Sequence, residues 1–424
     1  MINIFSKIFK NKDSKNYYFV DFENLNKKTN IEKIFHLISN FSETSEIRYV
    51  GGSIRKIINK EKVDDIDLAT NIAPKIICEI LRKNKISFYE SGIEHGTITA
   101  KVDDYKFEIT TLRKDISTDG RHAEVEFSND WYEDASRRDF TFNAIYADLH
   151  GNLYDPFNGK KDLESGNVKF IGNPETRIKE DYLRILRYVR FFLNYSKVDH
   201  KNSLKKIIKQ NINGTSKISS DRLLDELKKL VLSKGFLKLS KDKFCQEIIT
   251  LVFPQLINLG IFKNINDYSK KIIEEKNFIF LISLMIIDGT DNSEYFIYKY
   301  NISNEDKKKI RFLSNIYSKN LDRNIFKEKN FWKILYYNGK DYLIDLIDFQ
   351  IFKNKKLDKN LLKLKTFFNN QEVPKLEVKA KTLIEKFNFK EGKELGEKLK
   401  EIEKFWIENS FKISDHELNK IIKN

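Results

Sequence analysis

The apolar period changes once along this chain, at Pro174, and that change limits the possible architecture more than any single motif. Before it, short runs read as strands or brief helices. Ile31, Ile34, Phe35 and Ile38 follow the i, i+3, i+4, i+7 spacing of an amphipathic helix. Ile47 to Val50 reads as a strand, broken by Gly51-Gly52 and followed by a helix through Ile58. Asp65 to Ala69 begins with acidic and apolar residues in alternation, as a half-buried strand does. Thr97 to Val102 and Phe107 to Leu112 flank Asp103-Asp104, which predicts a hairpin, and Asn152 to Tyr154 and Val168 to Ile171 add strand material. Past Pro174 the periodicity is helical to Asn424. The expected fold class is α+β, a head with a small mixed or antiparallel sheet followed by an all-helical remainder. The expected segments are a polar leader over 1–30, a head over 31–173, and helical segments over 174–235, 236–335 and 336–424.

Composition excludes several classes. Two cysteines, Cys78 and Cys245, make no disulfide framework, and no Cys/His spacing suits a structural zinc site. The longest mainly apolar run, Phe278 to Ile287, is too short to cross a bilayer, and Met1 to Asn16 lacks the continuous hydrophobic stretch of a signal peptide. A cytoplasmic, reducing location is expected. The formal net charge of +15 is unevenly placed: residues 1–200 carry 32 basic and 32 acidic side chains, residues 201–424 carry 45 and 30. A neutral first half and a basic second half suit chemistry in one and polyanion docking in the other. Arginine divides the opposite way, with 11 of 14 in residues 1–200. A planar, bidentate donor concentrated there points to phosphate or nucleobase recognition.

Three constellations carry chemistry. Gly51-Gly52-Ser53-Ile54-Arg55 lies between a predicted strand and helix; its glycines let the backbone approach a phosphate, and Arg55 adds a charged donor. Asp65 and Asp67, two apart in a strand, face one side and can share divalent cations, with Glu108 on a second strand as a third carboxylate. Arg137-Arg138-Asp139, followed by Phe140-Thr141-Phe142-Asn143-Ala144, suits a sugar or phosphate clamp entering a buried element. In Glu180-Asp181-Tyr182-Leu183-Arg184, continuing to Phe192, one helical ridge is expected to carry Asp181, Arg184, Arg187 and Arg190. Such edges pair with the polar edges of bases.

The ordered set Gly-Gly-x-x-Arg, Asp-x-Asp, Arg-Arg-Asp-Phe-Thr-x-Asn-Ala, Asp155-Pro156-Phe157-Asn158-Gly159 and Glu-Asp-x-x-Arg-x-x-Arg resembles that of bacterial class II tRNA nucleotidyltransferases, in the polymerase-β-like superfamily. These are the CCA-adding enzymes and their sister poly(A) polymerases. Ser219 to Leu227 is similar to the family's next motif, and the likeness runs from about Arg48 to Leu230. The resemblance implies a polymerase-β-like catalytic head, a neck that recognises the nucleotide base, a body, and a tail that binds tRNA. It implies Mg²⁺ on Asp65 and Asp67, with Glu108 as a further acidic group. Gly51, Gly52 and Arg55 would then bind the triphosphate and Arg138 with Asp139 the ribose. Asp181 and Arg184, steadied by Glu180, would read the base, while Arg187 and Arg190 lie along the triphosphate. The implied partners are the acceptor arm and 3′ end of tRNA, with CTP and ATP as substrates; no membrane and no obligate protein partner is inferred. Asp115 to Asn129, containing Asp119-Gly120-Arg121-His122, resembles a loop that helps switch nucleotide specificity. One departure is Lys56, where the family usually has Asp after the Arg of the Gly-Gly motif.

CCA addition and poly(A) addition share nearly every one of these residues. Gly92-Ile93-Glu94-His95-Gly96-Thr97 and Asn143-Ala144 resemble the CCA-adding type, so template-independent addition or repair of the tRNA 3′-terminal CCA is the expected activity. The alternatives are a bacterial poly(A) polymerase, a catalytically inactive RNA-binding homologue, and a nucleotidyltransferase acting on a small molecule or protein. The basic second half argues against the last.

Overall fold

Alternation around Asp67 and a two-residue turn at Asp103-Asp104 build the sheet on which the head rests. The computed structural model describes residues 18–118, 123–318, 328–354 and 358–423. Chain order is α1 (Phe19–Thr29), α2 (Glu32–Ser39), β1 (Ile47–Val50), α3 (Gly52–Ile58), β2 (Ile66–Thr70), α4 (Pro74–Lys83), β3 (Ser87–Gly92), β4 (Thr97–Val102) and β5 (Tyr105–Thr111). A separate ribbon of β6 (Arg113–Thr118) and β7 (Ala123–Phe127) follows, then α5 (Trp131–Ser136), β8 (Tyr146–Ala147), β9 (Leu153–Tyr154) and α6 (Gly159–Ser165). The main sheet has the order β3-β4-β5-β2-β1-β8-β9. Within it β2 and β5 run parallel, with Asp67 opposite Glu108, and the other pairs are antiparallel. Asp103 takes a left-handed φ of 51° in the tight turn between β4 and β5, a conformation Asp tolerates and two-residue hairpins demand.

The expectation of a featureless leader through residue 30 does not hold over 18–30. Helix α1 packs on the sheet: the Phe22 ring lies 5.0 Å from Tyr49, which also meets Phe35 of α2 at 4.9 Å. Phe22 is fully buried, and the Tyr49 hydroxyl donates to Asn26 Oδ1. Asn26 in turn donates to the Leu149 carbonyl at 2.9 Å, so α1 is held by polar as well as apolar contacts. A second difference concerns Val168 to Ile171, expected as a strand. Only the bridge between Phe140 and Phe170 forms, flanked by Thr141 N to Lys169 O and Ile171 N to Asp139 O. Gly172, with φ of 74°, turns the chain immediately afterwards, toward the helix that starts at Pro174.

The helices that follow are α7 (Pro174–Glu180), α8 (Leu183–Tyr195), α9 (Asn202–Asn211), α10 (Ser220–Val231), α11 (Phe236–Leu239) and α12 (Lys243–Val252). Asn173 caps α7 by accepting from Glu175 N and Thr176 N. Helix α8 buries Leu183, Leu186 and Val189 together with Ile185, Tyr188, Phe191 and Leu193. Helices α10, α11 and α12 all pack against α8, and the first compact unit runs to Val252.

The second unit, Phe253–Asn424, is helical throughout its described elements. Its helix Phe278–Ile286 is buried at every position. The carboxylate of Asp348, with no exposure, is held between Lys276 Nζ at 2.8 Å and Lys365 Nζ at 2.7 Å. The expected boundary at 335 falls inside helix Glu328–Asn338. Leu383, Leu395, Ile402 and Leu418 form a small core of their own near the C-terminus. No described helix is long and apolar enough to cross a membrane.

The α1 contacts lead to a stability prediction. Phe22→Ala should cost about 3–5 kcal/mol and lower the thermal midpoint of the full chain, because a fully buried aromatic leaves a cavity. Phe19→Ala, at a residue 43% exposed, should shift stability by no more than about 0.5 kcal/mol. Equal effects in urea or thermal unfolding would show that α1 is not part of the head core.

Candidate active site

The turn after β1 shapes one wall of the site. Gly51 has a left-handed φ of 66° and donates its N–H to the Ile145 carbonyl, a backbone conformation that favours glycine. A Cβ on Gly52 would lie 3.7 Å from Asp67 Oδ2, so the bare backbone leaves space beside that carboxylate. Asp65 precedes β2 by one residue and is exposed, Asp67 is half-buried within β2, and Glu108 is exposed on β5 in register with Asp67. Burial, and then the neighbouring charges of Glu108 and Asp65, raise the Asp67 carboxyl above its usual range; Arg138 and Arg55 oppose this in part. A carboxylate crowded by two others calls for a cation, and hard oxygen donors suit a divalent one.

These residues open on a cavity of about 900 Å³. Eight arginines line it: Arg55, Arg113, Arg137, Arg138, Arg184, Arg187, Arg190 and Arg222. Of the residues expected in the site, Gly51, Gly52, Asp65, Asp67, Asp139 and Asp181 also line it; Glu108 and Glu180 do not. Asp119 to His122 lie outside the described residues.

Each arginine cluster is held by a carboxylate. Asp134 of α5, 1% exposed, accepts from Arg137 at 2.7 Å, from Arg138 Nη2 at 3.0 Å and from the Tyr146 hydroxyl at 2.6 Å. Burial alone would raise its carboxyl, but the two guanidinium groups outweigh this and hold it well below the usual range. Asp139 accepts from Arg187 Nε at 2.5 Å, Asn143 Nδ2 at 2.7 Å and Phe140 N at 2.8 Å. Burial opposes its charge; Arg187 and these donors nevertheless bring its pKa down to about 2. Arg190 Nε pairs with buried Glu226 of α10 at 2.5 Å. Arg55 donates to Asn143 Oδ1 and, at 3.3 Å, to the Tyr195 hydroxyl, and its guanidinium lies 4.7 Å from the Phe191 ring centre. Asp155, also in the motif set, accepts from Gly159 N and Lys160 N and so closes the turn into α6.

The expected ridge of Asp181, Arg184, Arg187 and Arg190 needs correction at its first member. Asp181 is extended, with φ of −153°, between α7 and α8, and α8 begins only at Leu183. There Asp181 Oδ1 accepts from Leu183 N at 3.1 Å, while Oδ2 accepts from Arg222 at 2.8 Å. Arg184 reaches back across the break to Glu180 at 2.6 Å and to the Arg177 carbonyl at 2.9 Å. The three α8 arginines thus pair with Glu180, Asp139 and Glu226, carried by three other segments.

Sequence reasoning gave no site role to Asp134, or to Asn143, Glu226 and Arg222, which it met only as members of motifs. A signal existed for Asp134, three and four residues before Arg137 and Arg138, and for Arg222, one of only three arginines after residue 200. Glu226 gave only its place in the Ser219 to Leu227 motif and on an amphipathic helix.

In comparison with known proteins, residues 47–169 match the Poly A polymerase head domain. The human mitochondrial CCA tRNA nucleotidyltransferase 1 is 44% identical over 196 residues, a match that spans 45% of this chain and 44% of that protein. The chain thus spans less than half the length of that relative, and the same holds for the mouse and zebrafish proteins. The CCA-adding enzyme of Ligilactobacillus salivarius is 30% identical over 375 residues, covering 85% of this chain and 87% of that one. In fold, the Bacillus stearothermophilus CCA-adding enzyme in complex with CTP aligns over 90% of this chain and 93% of its own, with a TM-score of 0.66 at 19% identity. The Thermotoga maritima CCA-adding enzyme complexed with tRNA aligns with a TM-score of 0.59, also at 19% identity. With a shared fold and 30% identity along most of its length, this chain belongs to the CCA-adding enzyme family.

Proposed function

We propose that this chain is a template-independent RNA nucleotidyltransferase that adds or repairs the 3′-terminal CCA of tRNA from CTP and ATP, releasing pyrophosphate. The observation that carries the proposal is the meeting of Asp65, Asp67 and the open Gly51-Gly52 backbone with eight arginines in one cavity. A nucleoside triphosphate is the kind of ligand that needs both sets of groups.

The family generally uses a divalent metal, and the donors here fit one: oxygen-only ligands, with Asp67 disfavoured as a lone anion by burial and by Glu108 and Asp65. Asp65 and Asp67 would hold Mg²⁺, with Glu108 beside them, and the ions would supply activation of the RNA 3′-hydroxyl and charge stabilisation at the α-phosphate and departing pyrophosphate. The rest falls to the chain's own side chains. Gly51 and Gly52 admit the triphosphate close to the backbone. Arg55, Arg138, Arg187 and Arg190 present guanidinium groups to its oxygens, and the Asp139 region meets the sugar.

Base choice follows from donor and acceptor chemistry. Cytosine and adenine both offer an exocyclic amine beside a ring nitrogen acceptor, whereas uracil and guanine offer a carbonyl beside a ring N–H. A carboxylate next to a guanidinium accepts from the amine and donates to the ring nitrogen, so Asp181 with Arg184 suits C and A and rejects U and G. Since Arg222 holds Asp181 and Glu180 holds Arg184, both template side chains already have partners that fix their positions. In the second unit, Lys-rich helices suit sequence-independent contact with the RNA backbone of the acceptor arm.

The direct test is incubation of the purified chain with tRNA lacking its 3′ end, Mg²⁺, and CTP and ATP separately and together. CTP alone should add C residues, and both nucleotides should complete CCA and stop there. Unlimited A-tailing of unrelated RNA would instead identify a poly(A) polymerase, and no incorporation would identify a non-catalytic RNA-binding protein. Asp67→Asn should cut incorporation by roughly 10³-fold or more, the scale of the several kcal/mol that metal-ion stabilisation contributes, while leaving tRNA binding in place. Arg184→Ala should relax discrimination against UTP and GTP by about 10–100-fold, as expected for a bidentate edge contact, and unchanged selectivity would refute its templating role.

A further inference from the structure

Behind α8, away from the cavity residues on the same helix, a second group of ligand-type side chains converges. His200 Nε2 lies 3.1 Å from Asp242 Oδ2 and 3.7 Å from Cys245 Sγ, and the three ligand atoms all fall within 4.8 Å of one another. Tetrahedral zinc with bonds of about 2.0–2.1 Å to nitrogen, 2.0–2.2 Å to oxygen and 2.3 Å to sulfur would set these separations at about 3.4 and 3.6 Å. The two separations from His200 Nε2 therefore lie within about 0.3 Å of those in one ion's coordination shell.

The surroundings favour such a site. Asp242 precedes α12, and its Oδ1 accepts from Cys245 N at 2.8 Å, which fixes both residues on one helical turn and leaves Oδ2 turned to His200. The other ring nitrogen of His200, Nδ1, meets the Tyr188 hydroxyl at 2.9 Å, the outer hydrogen bond that typically orients a metal-bound imidazole. Phe192 stacks on the His200 ring at 3.5 Å and Phe244 meets it edge-on at 4.8 Å, so the ring is clamped on its faces. Cys245 is fully buried, while the Asp242 side chain is 23% exposed and gives an ion a way in.

We propose that His200, Asp242 and Cys245 form a zinc-binding site, separate from the oxygen-only site at Asp65 and Asp67. A mixed nitrogen, oxygen and sulfur set selects Zn²⁺ over Mg²⁺, because thiolate and imidazole are borderline-to-soft ligands. Binding displaces the Cys245 thiol proton to solvent and leaves His200 neutral, with the proton on Nδ1 donated to Tyr188. The ion would tie the chain after α8 and the start of α12 to the Tyr188 turn of α8. That helix also carries Arg184, Arg187 and Arg190, so the site would brace the back of the nucleotide-binding helix.

Titration of the full-length chain, freed of metal with a chelator, with Co²⁺ as a spectroscopic substitute decides the matter. A thiolate-to-cobalt charge-transfer band should saturate at about one ion per chain and be bleached by added Zn²⁺. Co²⁺ on Asp65 and Asp67 has no sulfur ligand and gives no such band. Cys78→Ser should keep the band and Cys245→Ser should lose it; His200→Gln should weaken the apparent affinity by about 10-fold or more. Zn²⁺ alone should also raise the thermal midpoint of the wild-type chain, a readout independent of the variants' folding. Absence of the sulfur band at saturating Co²⁺, or its loss in Cys78→Ser, would overturn the site and leave His200 and Asp242 as a hydrogen-bonded pair.

Discussion

Eight guanidinium groups around one cavity repel each other, and the head is organised by how that repulsion is met. Three carboxylates with almost no exposure answer it: Asp134 takes Arg137 and Arg138, Asp139 takes Arg187, and Glu226 takes Arg190. Removing one partner of such a buried pair leaves an uncompensated charge and costs about 3–5 kcal/mol, so the pairs specify an arrangement even where they add little net stability. Asp134 acts locally at the end of α5, while Asp139, just past α5, is tied to α8, and Glu226 ties α10 to α8. The arginines are consequently presented to the cavity in fixed orientations before any nucleotide arrives, which is what electrostatic preorganisation requires.

The charge distribution along the chain takes on a physical meaning here. Residues 1–200 sum to zero, yet their cavity is strongly cationic. The balance is reached partly by acids that hold arginines, as at Asp134 and Asp139, and partly by Asp65 and Asp67, the latter lying within reach of the charges of Arg55 and Arg138. One site thus sets carboxylates beside guanidinium groups without a large net charge. The excess of +15 arises after residue 200, mostly as lysine, where a point charge on a flexible stem suits backbone contact better than a fixed fork does.

Much of this was legible in the sequence, for reasons that differ by residue. The strand at Asp67, the glycine turn at Gly51-Gly52 and the hairpin at Asp103 are local signals, and all appear where spacing placed them. Asp134 was legible only in part: its spacing before Arg137 and Arg138 is a signal, but the burial that decides its importance is not announced by a Glu-Asp pair on a short helix. Helix α1 was misjudged because its buried residues include Asn26 and Thr29, polar groups that are acceptable inside only through partners such as Tyr49 and the Leu25 and Leu149 carbonyls. Asp181 looked like the first member of a helical ridge; the break before Leu183, where its own carboxylate caps α8, shows in no periodicity. Continuous helical sequence carries no sign of which helices pack together, as where α10, α11 and α12 close on α8.

The central proposal is that buried carboxylates orient the arginines that would receive the triphosphate. A double-mutant cycle on CTP affinity, using Asp134→Asn, Arg138→Met and the two together, tests it most directly. If Asp134 acts through Arg138, the double variant should bind CTP no more weakly than the weaker single variant, with a coupling energy of at least about 1 kcal/mol. Additive losses within about 0.5 kcal/mol would show that the two residues act independently, and would contradict the account.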